Sequence, residues 1–198
     1  MKTKYSLFFL ALISVLIFSC KGEKETTAVK YDSEAVNSGY RIMFYNVENL
    51  FDTEDDPEKN DNEFLPEGDR YWSESRYKLK LTNIYKVITA VGGWDLPMLV
   101  GLCEVENRKV LDGLLNYTPL YKSDYKIIHY ESPDARGIDV ALLYRSELFT
   151  PISHKPIKVT WPKDIGSGTT RDILYTCGVT DQGDTLHVFV NHWPSRWG

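Results

Sequence analysis

Three short polar clusters punctuate the chain: Asn46-Val47-Glu48-Asn49, Glu104-Val105-Glu106-Asn107 and Asn191-His192. Each follows an apolar run that reads as a strand. Carboxylates and amides together suit a hard divalent cation, which takes oxygen ligands and keeps several waters. A histidine beside them can give or take a proton near neutral pH. Arg196, in the loop Trp193-Pro194-Ser195-Arg196, can grip an oxyanion through two N–H groups. Such a set could handle a phosphate. No Cys/His cluster has zinc spacing, and there is neither a Gly-x-Ser-x-Gly elbow nor a Walker-type loop.

Taken singly, each residue has a plainer role. A carboxylate such as Glu104 at a strand end is commonly solvated or caps the next helix. Glu106 and Asn107 are placed to serve the helix that follows. His192 is either a loop histidine or a proton-transfer group. The clusters become a site only if the fold brings the strand ends together.

The elements that must do this are legible from periodicity. Residues 40–47 and 97–103 are apolar on both faces, as strands buried on both sides are. Residues 51–71 form a long acidic loop. Leu81, Ile84, Ile88 and Val91 give residues 76–91 a helical stripe, ended by Gly92-Gly93. Asn107 can cap a short helix carrying Val110, Leu111, Leu114 and Leu115. Further strands are expected at 125–130, 139–144, 148–158, 172–180 and Thr185–Val190, the last two joined by the turn Asp181-Gln182-Gly183-Asp184. Helices early and consecutive strands later indicate an α/β domain with a mixed sheet covered by helices.

The 198 residues allow one domain, and thirteen Tyr with five Trp favour strands. A net charge of −5 weighs against a duplex binder working through a broad basic surface. Residues 1–19 are a signal peptide, with the basic start Met1-Lys2-Thr3-Lys4 and an apolar run too short to span a membrane. Ile17-Phe18-Ser19-Cys20 matches a lipobox, which makes Cys20 the lipidated first residue of the mature protein; an ordinary signal peptide with an incidental Cys is the alternative. Residues 20–38 are a flexible tether, and 39–198 hold the domain. Cys103 and Cys177 read as buried free thiols, though an exported protein also allows a disulfide.

Four segments in order carry a family resemblance: Phe44-Tyr45-Asn46-Val47-Glu48, Val100-Gly101-Leu102-Cys103-Glu104, Arg136-Gly137-Ile138-Asp139-Val140-Ala141-Leu142-Leu143-Tyr144 and Val190-Asn191-His192-Trp193-Pro194-Ser195. Together they resemble the endonuclease/exonuclease/phosphatase superfamily, the fold of pancreatic deoxyribonuclease, inositol polyphosphate phosphatases and bacterial sphingomyelinases. Most similar are its exported bacterial members. The resemblance implies a four-layer α/β/β/α sandwich, of which this chain holds the N-terminal portion. It implies Glu104 as metal ligand, with Glu48 an auxiliary acid. It implies Asn46 as the amide orienting metal and phosphate, Arg136 as a phosphate contact, and protonated His192 acting on the scissile phosphate. Cys103 stands where the family usually has Gln.

The cofactor implied is Mg²⁺, with Mn²⁺ or Ca²⁺ as alternatives. The expected substrate is a phosphate ester, nucleic acid first, with Tyr71, Trp72 and Trp193 available to stack on bases. A phosphomonoesterase, a lipid phosphodiesterase and a non-catalytic surface binding protein are the rivals. The membrane is reached through Cys20, on the exported side, and no protein partner is implied. The family's Asp-x-Asn and Asp-His motifs lack a counterpart: His129, His154, His187 and His192 follow Ile, Ser, Leu and Asn. The chain alone is therefore expected to be inactive and poorly stable.

Overall fold

The doubly apolar runs become the middle of a sheet buried on both faces. In a computed structural model, residues 39–160 and 169–193 are described. The chain divides into Met1–Ser38 and Gly39–Gly198, and all described residues belong to the second unit. The signal peptide, the tether, Cys20 and the loop residues Pro194 to Arg196 lie outside them.

Four strands, β1 (Ile42–Leu50), β2 (Leu99–Val105), β3 (Tyr125–His129) and β4 (Asp139–Arg145), form the first sheet in the order β1-β2-β4-β3. β1 and β2 are parallel, and the other pairs are antiparallel. The parallel pair is joined across α1 (Glu74–Gly92), as parallel strands require a long crossover. Gly93 ends α1 at φ 62°, its N–H donating to Thr89 O. The second helix, α2 (Arg108–Asn116), is capped as expected by Asn107, whose side chain accepts from Val110 N–H. β5 (Phe149–Ile157), β6 (Ile173–Thr180) and β7 (Thr185–Val190) form a second, antiparallel sheet.

Alternation along β2 and β4 explains the layers. Val100, Leu102, Ala141 and Leu143 face Leu81, Ile84 and Ile88 of α1 and Leu111 and Leu114 of α2. Leu99, Cys103, Val140 and Leu142 face the other way and pack on Phe149, Leu174 and Val190 of the second sheet. At Gly101 a Cβ would stand 3.3 Å from the Phe44 ring and 3.4 Å from Val190, so glycine there permits the close approach. Helices, first sheet and second sheet make a mixed α/β arrangement of the expected fold class. The second helical layer of a four-layer sandwich is not among the described residues.

The two remaining thiols are free, Cys103 buried and Cys177 half-buried. Cys103 sits between the sheets, whereas Cys177 alternates with buried Thr176 and faces outward on β6. They lie on opposite sides of the second sheet, so the disulfide alternative does not hold. The acidic loop 51–71 is anchored rather than loose. Phe51 and Phe64 stack at 4.1 Å with Ile138 beneath them, and Trp72 meets Phe64 edge-on. Trp72 also donates to Phe51 O at 2.9 Å, which makes its role packing.

Candidate active site

The first polar cluster, 46–49, lies wholly inside β1, which runs three residues past its expected end; of the second, Glu104 and Val105 close β2, and Glu106 and Asn107 follow it. Asn46 pairs with Cys103 and Leu50 with Val105, and between these points both strands bulge. A bulge re-aims the side chains it carries. Here it does so with left-handed backbone at Glu48 (φ 54°), Asn49 (φ 64°) and Glu104 (φ 63°). Such non-glycine conformations cost on the order of 1–3 kcal/mol each and persist only where the surroundings impose them.

Glu104 is the hub. Asn46 Nδ2 donates to its Oε1 at 3.0 Å, and the Asn49 N–H donates to its Oε2 at 3.0 Å. The Glu48 N–H donates to Asn46 Oδ1 at 2.8 Å, which fixes the amide so that its NH₂ faces Glu104. His192 Nε2 lies 3.4 Å from Glu104 Oε1. Two separate chain segments, β1 and the residues after β7, thus converge on one half-buried carboxylate of β2.

His192 is itself half-buried, and its Nδ1 has no hydrogen-bond partner among the described residues. Burial pulls its pKa below 6.5; Arg171 and Arg136 push the same way, and Glu104 and Asp134 oppose them. The direction favours the neutral ring over the protonated form that the resemblance implies.

The second sheet supplies a residue that sequence reasoning missed. Arg171 precedes β6 and His192 follows β7; Leu174 pairs with Val190, so both residues stand at the same end of the hairpin. Arg171 is buried, with Nη1 3.1 Å from Asp134 Oδ2 and Nε unpartnered among the described residues. Arg136 reaches the same carboxylate, its Nε 3.4 Å and its N–H 2.9 Å from Asp134 Oδ1. Asp134 therefore gathers two guanidinium groups that both act on His192. Glu106 departs from expectation as well: it is buried and accepts the Asp52 N–H at 2.6 Å, holding the start of the acidic loop instead of serving α2.

Beside Glu104 opens a cleft of about 790 Å³. Glu48, Glu104, Tyr71, Arg76, Lys80 and Asn83 are among its lining residues. Lys80 Nζ donates to Glu48 O at 3.0 Å. Burial lowers the Lys80 pKa, against the pull of Glu48 and Glu104.

Over residues 41–198 the sequence matches the family described as Endonuclease/Exonuclease/phosphatase. The chain belongs to the endonuclease/exonuclease/phosphatase family. No curated protein matches it. Among solved structures it is 16% identical to ANGEL2, a 2′,3′-cyclic phosphatase, over 54% of this chain and 29% of that one, with a TM-score of 0.40. A functionally unknown conserved protein from Enterococcus faecalis V583 is 18% identical over 74% and 50% of the two chains, at TM-score 0.44. The mannosyl-6-phosphatase Bt3783 of Bacteroides thetaiotaomicron VPI-5482 is 15% identical over 58% and 41%, at 0.39. The chain spans half or less of the length of each of these proteins.

In a chain of this family, the donor set fits a divalent metal. Glu104 and Glu48 offer only oxygen, and both line the cleft. Mg²⁺ is commonly held by one or two carboxylates, with waters and substrate phosphate completing the shell. A second group, His129, Glu131 and Asp139, brings three ligand atoms within 4.8 Å of one another. Asp139, however, already accepts the Ser132 N–H at 2.9 Å and faces His129 Nε2 at 3.1 Å, with the Ser132 hydroxyl donating too. Lys59 Nζ bonds the carbonyls of Ser132 and Asp134 nearby. This group ties the loop between β3 and β4 to the acidic loop.

Proposed function

We propose that the protein is a divalent-metal-dependent phosphodiesterase acting on nucleic acid, exported and tethered to a membrane by lipid on Cys20. The observation that carries the catalytic part is the convergence of Asn46, Asn49 and His192 on Glu104. Glu104 and Glu48 would hold the cation. When bound, Mg²⁺, or Mn²⁺ or Ca²⁺ in its place, supplies charge neutralisation for the developing phosphate oxyanions and the leaving oxygen.

The chain's own residues do the rest. Asn46 and the Asn49 N–H orient Glu104 and keep one of its faces fixed. A neutral His192 with its proton on Nε2, toward Glu104, leaves Nδ1 as an acceptor able to take a proton. Arg171 and Arg136, gathered by Asp134, supply a positive field for the phosphate. The Asp-x-Asn and Asp-His sequence motifs that the resemblance implies for activating water have no counterpart in residues 39–198, so this stretch alone is expected to be inactive.

The test is hydrolysis by the full-length protein of bis(p-nitrophenyl) phosphate, a diester, and of p-nitrophenyl phosphate, a monoester, with Mg²⁺, Mn²⁺, Ca²⁺ or EDTA. Diester cleavage that EDTA abolishes is expected. Cleavage of the monoester alone would make the protein a phosphomonoesterase, and no turnover with any metal would make it a binding protein. For the anchor, wild type should partition into detergent and Cys20→Ala should not; equal partitioning of both would remove the lipid from the proposal.

A further inference from the structure

We infer that the cleft beside Glu104 is a strand-binding groove in which Lys80 and Arg76 of α1 each hold a further, successive phosphate, so that the substrate is a single-stranded nucleic acid rather than an isolated phosphate ester. The inference rests on Glu104 being the hydrolytic centre.

Arg76, Lys80 and Asn83 are spaced four and three residues apart, which places them on one stripe of α1. All three line the cleft, while Tyr77, Leu81, Ile84 and Ile88 of the same helix are buried. Neither cation is neutralised. Arg76 donates to the carbonyls of Arg70 and Tyr71, and Lys80 to that of Glu48; neither forms an ion pair with a carboxylate among the described residues. Their neighbours differ: Arg70 is paired with Glu63 at 2.7 Å and Lys78 with Glu74 at 3.1 Å. Asp69 is the one lining acid apart from Glu48 and Glu104. A protein of net charge −5 has thus left two positive charges free in the cleft that adjoins Glu104.

The spacing also fits a strand. Four residues of helix rise about 6 Å, comparable with the separation of successive phosphates along a nucleic acid. Lys80 touches the Glu48 end of the cleft and Arg76 the Tyr71 end. Tyr71 itself is 72% exposed at the rim, on left-handed backbone at φ 48°. Arg76 bonds its carbonyl at 3.3 Å, and its N–H donates to Gly68 O at 2.9 Å. An aromatic ring held out in this way offers a face for one base, and stacking of that kind tolerates any sequence.

Binding of a fluorescein-labelled single-stranded oligonucleotide to the full-length protein, followed by anisotropy in EDTA across a salt series, tests the subsite without turnover. Wild type should bind with log K falling linearly against log salt. Lys80→Met with Arg76→Gln should weaken binding and flatten the slope by about 1.4, two contacts at about 0.7 each on a single strand. Lys80→Arg should restore most of its share. With Mg²⁺, the ratio of kcat/KM for the oligonucleotide to that for bis(p-nitrophenyl) phosphate should fall at least about tenfold in the double variant, the loss of one 1.4 kcal/mol interaction. Equal affinity and slope in wild type and double variant would overturn the subsite even if the diester is cleaved. Tight binding of an inositol polyphosphate, with none of the oligonucleotide, would overturn the strand. Loss of diester cleavage with oligonucleotide binding intact would instead strike the hydrolytic reading alone.

Discussion

The first sheet buries both faces, one under α1 and α2 and the other against the second sheet. Among the described residues, the second sheet buries only one. Its other face carries Tyr175 and Phe189 with ring centroids 4.9 Å apart, and Phe189 is 54% exposed. The bulges and left-handed residues of the site belong to β1 and β2, in the doubly covered sheet. The β6–β7 turn is regular, with its one left-handed residue a glycine, Gly183. The site's irregular backbone is built where packing on two sides holds it; the more exposed sheet, although β5 shifts register between Pro151 and Ser153, delivers Arg171 and His192 from ordinary ends of β6 and β7.

The largest way to break this contrast is at the hub. Glu104→Gln keeps the shape and removes the charge, and should lower metal-dependent turnover by about 10²–10³-fold or more. Its urea midpoint should stay near that of wild type. A variant with near-wild-type rates at limiting Mg²⁺ would move the metal away from β2.

Next comes stability on the two faces. Leu102→Ala, deep under the helices, should cost about 2–5 kcal/mol. Phe189→Ser, on the bare face, should stay within about 0.5 kcal/mol. Comparable losses in denaturant titrations of the full-length protein would mean that the outer face is covered by something else.

A smaller effect concerns His192. Arg136 helps hold its pKa down, so Arg136→Gln should raise it toward 6.5, read from the imidazole Cε1–H shift against pH. A shift further downward would show that Arg136 does not face the ring.

The smallest is a pH trend from the first sheet's rim. Burial raises Glu106 from 4.5 to about 8. The folded state then holds a proton that the unfolded chain has released, so stability falls as pH rises from about 4.5 through 8. Glu106→Gln, a neutral isostere, should flatten that decline; an unchanged slope would assign it to another group.

Much of this platform was legible. Thr185–Val190 and the Asn107 cap follow from alternation and residue type, and Leu81, Ile84 and Ile88 mark the buried face of α1, whereas Val91 of the same stripe is 53% exposed; strand and helix boundaries differ by at most three residues. Asn46, Glu104 and His192 were found because each follows a run whose period is plain. What escaped has physical reasons. Glu48, Asn49 and Glu104 carry no side-chain mark of positive φ, so periodicity does not reveal the bulges or the length of β1 beyond Val47. Arg171 sits in Thr170-Arg171-Asp172, indistinguishable from a solvated strand start until Asp134, distant in sequence, folds beside it. Whether His192 is charged depends on burial and two distant arginines, none of which periodicity reports.

Asn49 sits in a backbone shape that glycine would adopt freely, at a saving of about 1–2 kcal/mol for an L-residue. The same holds for Glu48 and Glu104. A laboratory selection for heat resistance alone would find glycine rewarding at Asn49, whereas at Glu104 it would strip the Asn46 amide and the Asn49 N–H of their acceptor. At Glu48 and Glu104 it would erase the carboxylates, while at Asn49 it would spare the N–H that grips Glu104. Asn49→Gly is thus the one place in this patch where robustness could rise without disarming the chemistry, and the route a breeder of hardier variants should sample first.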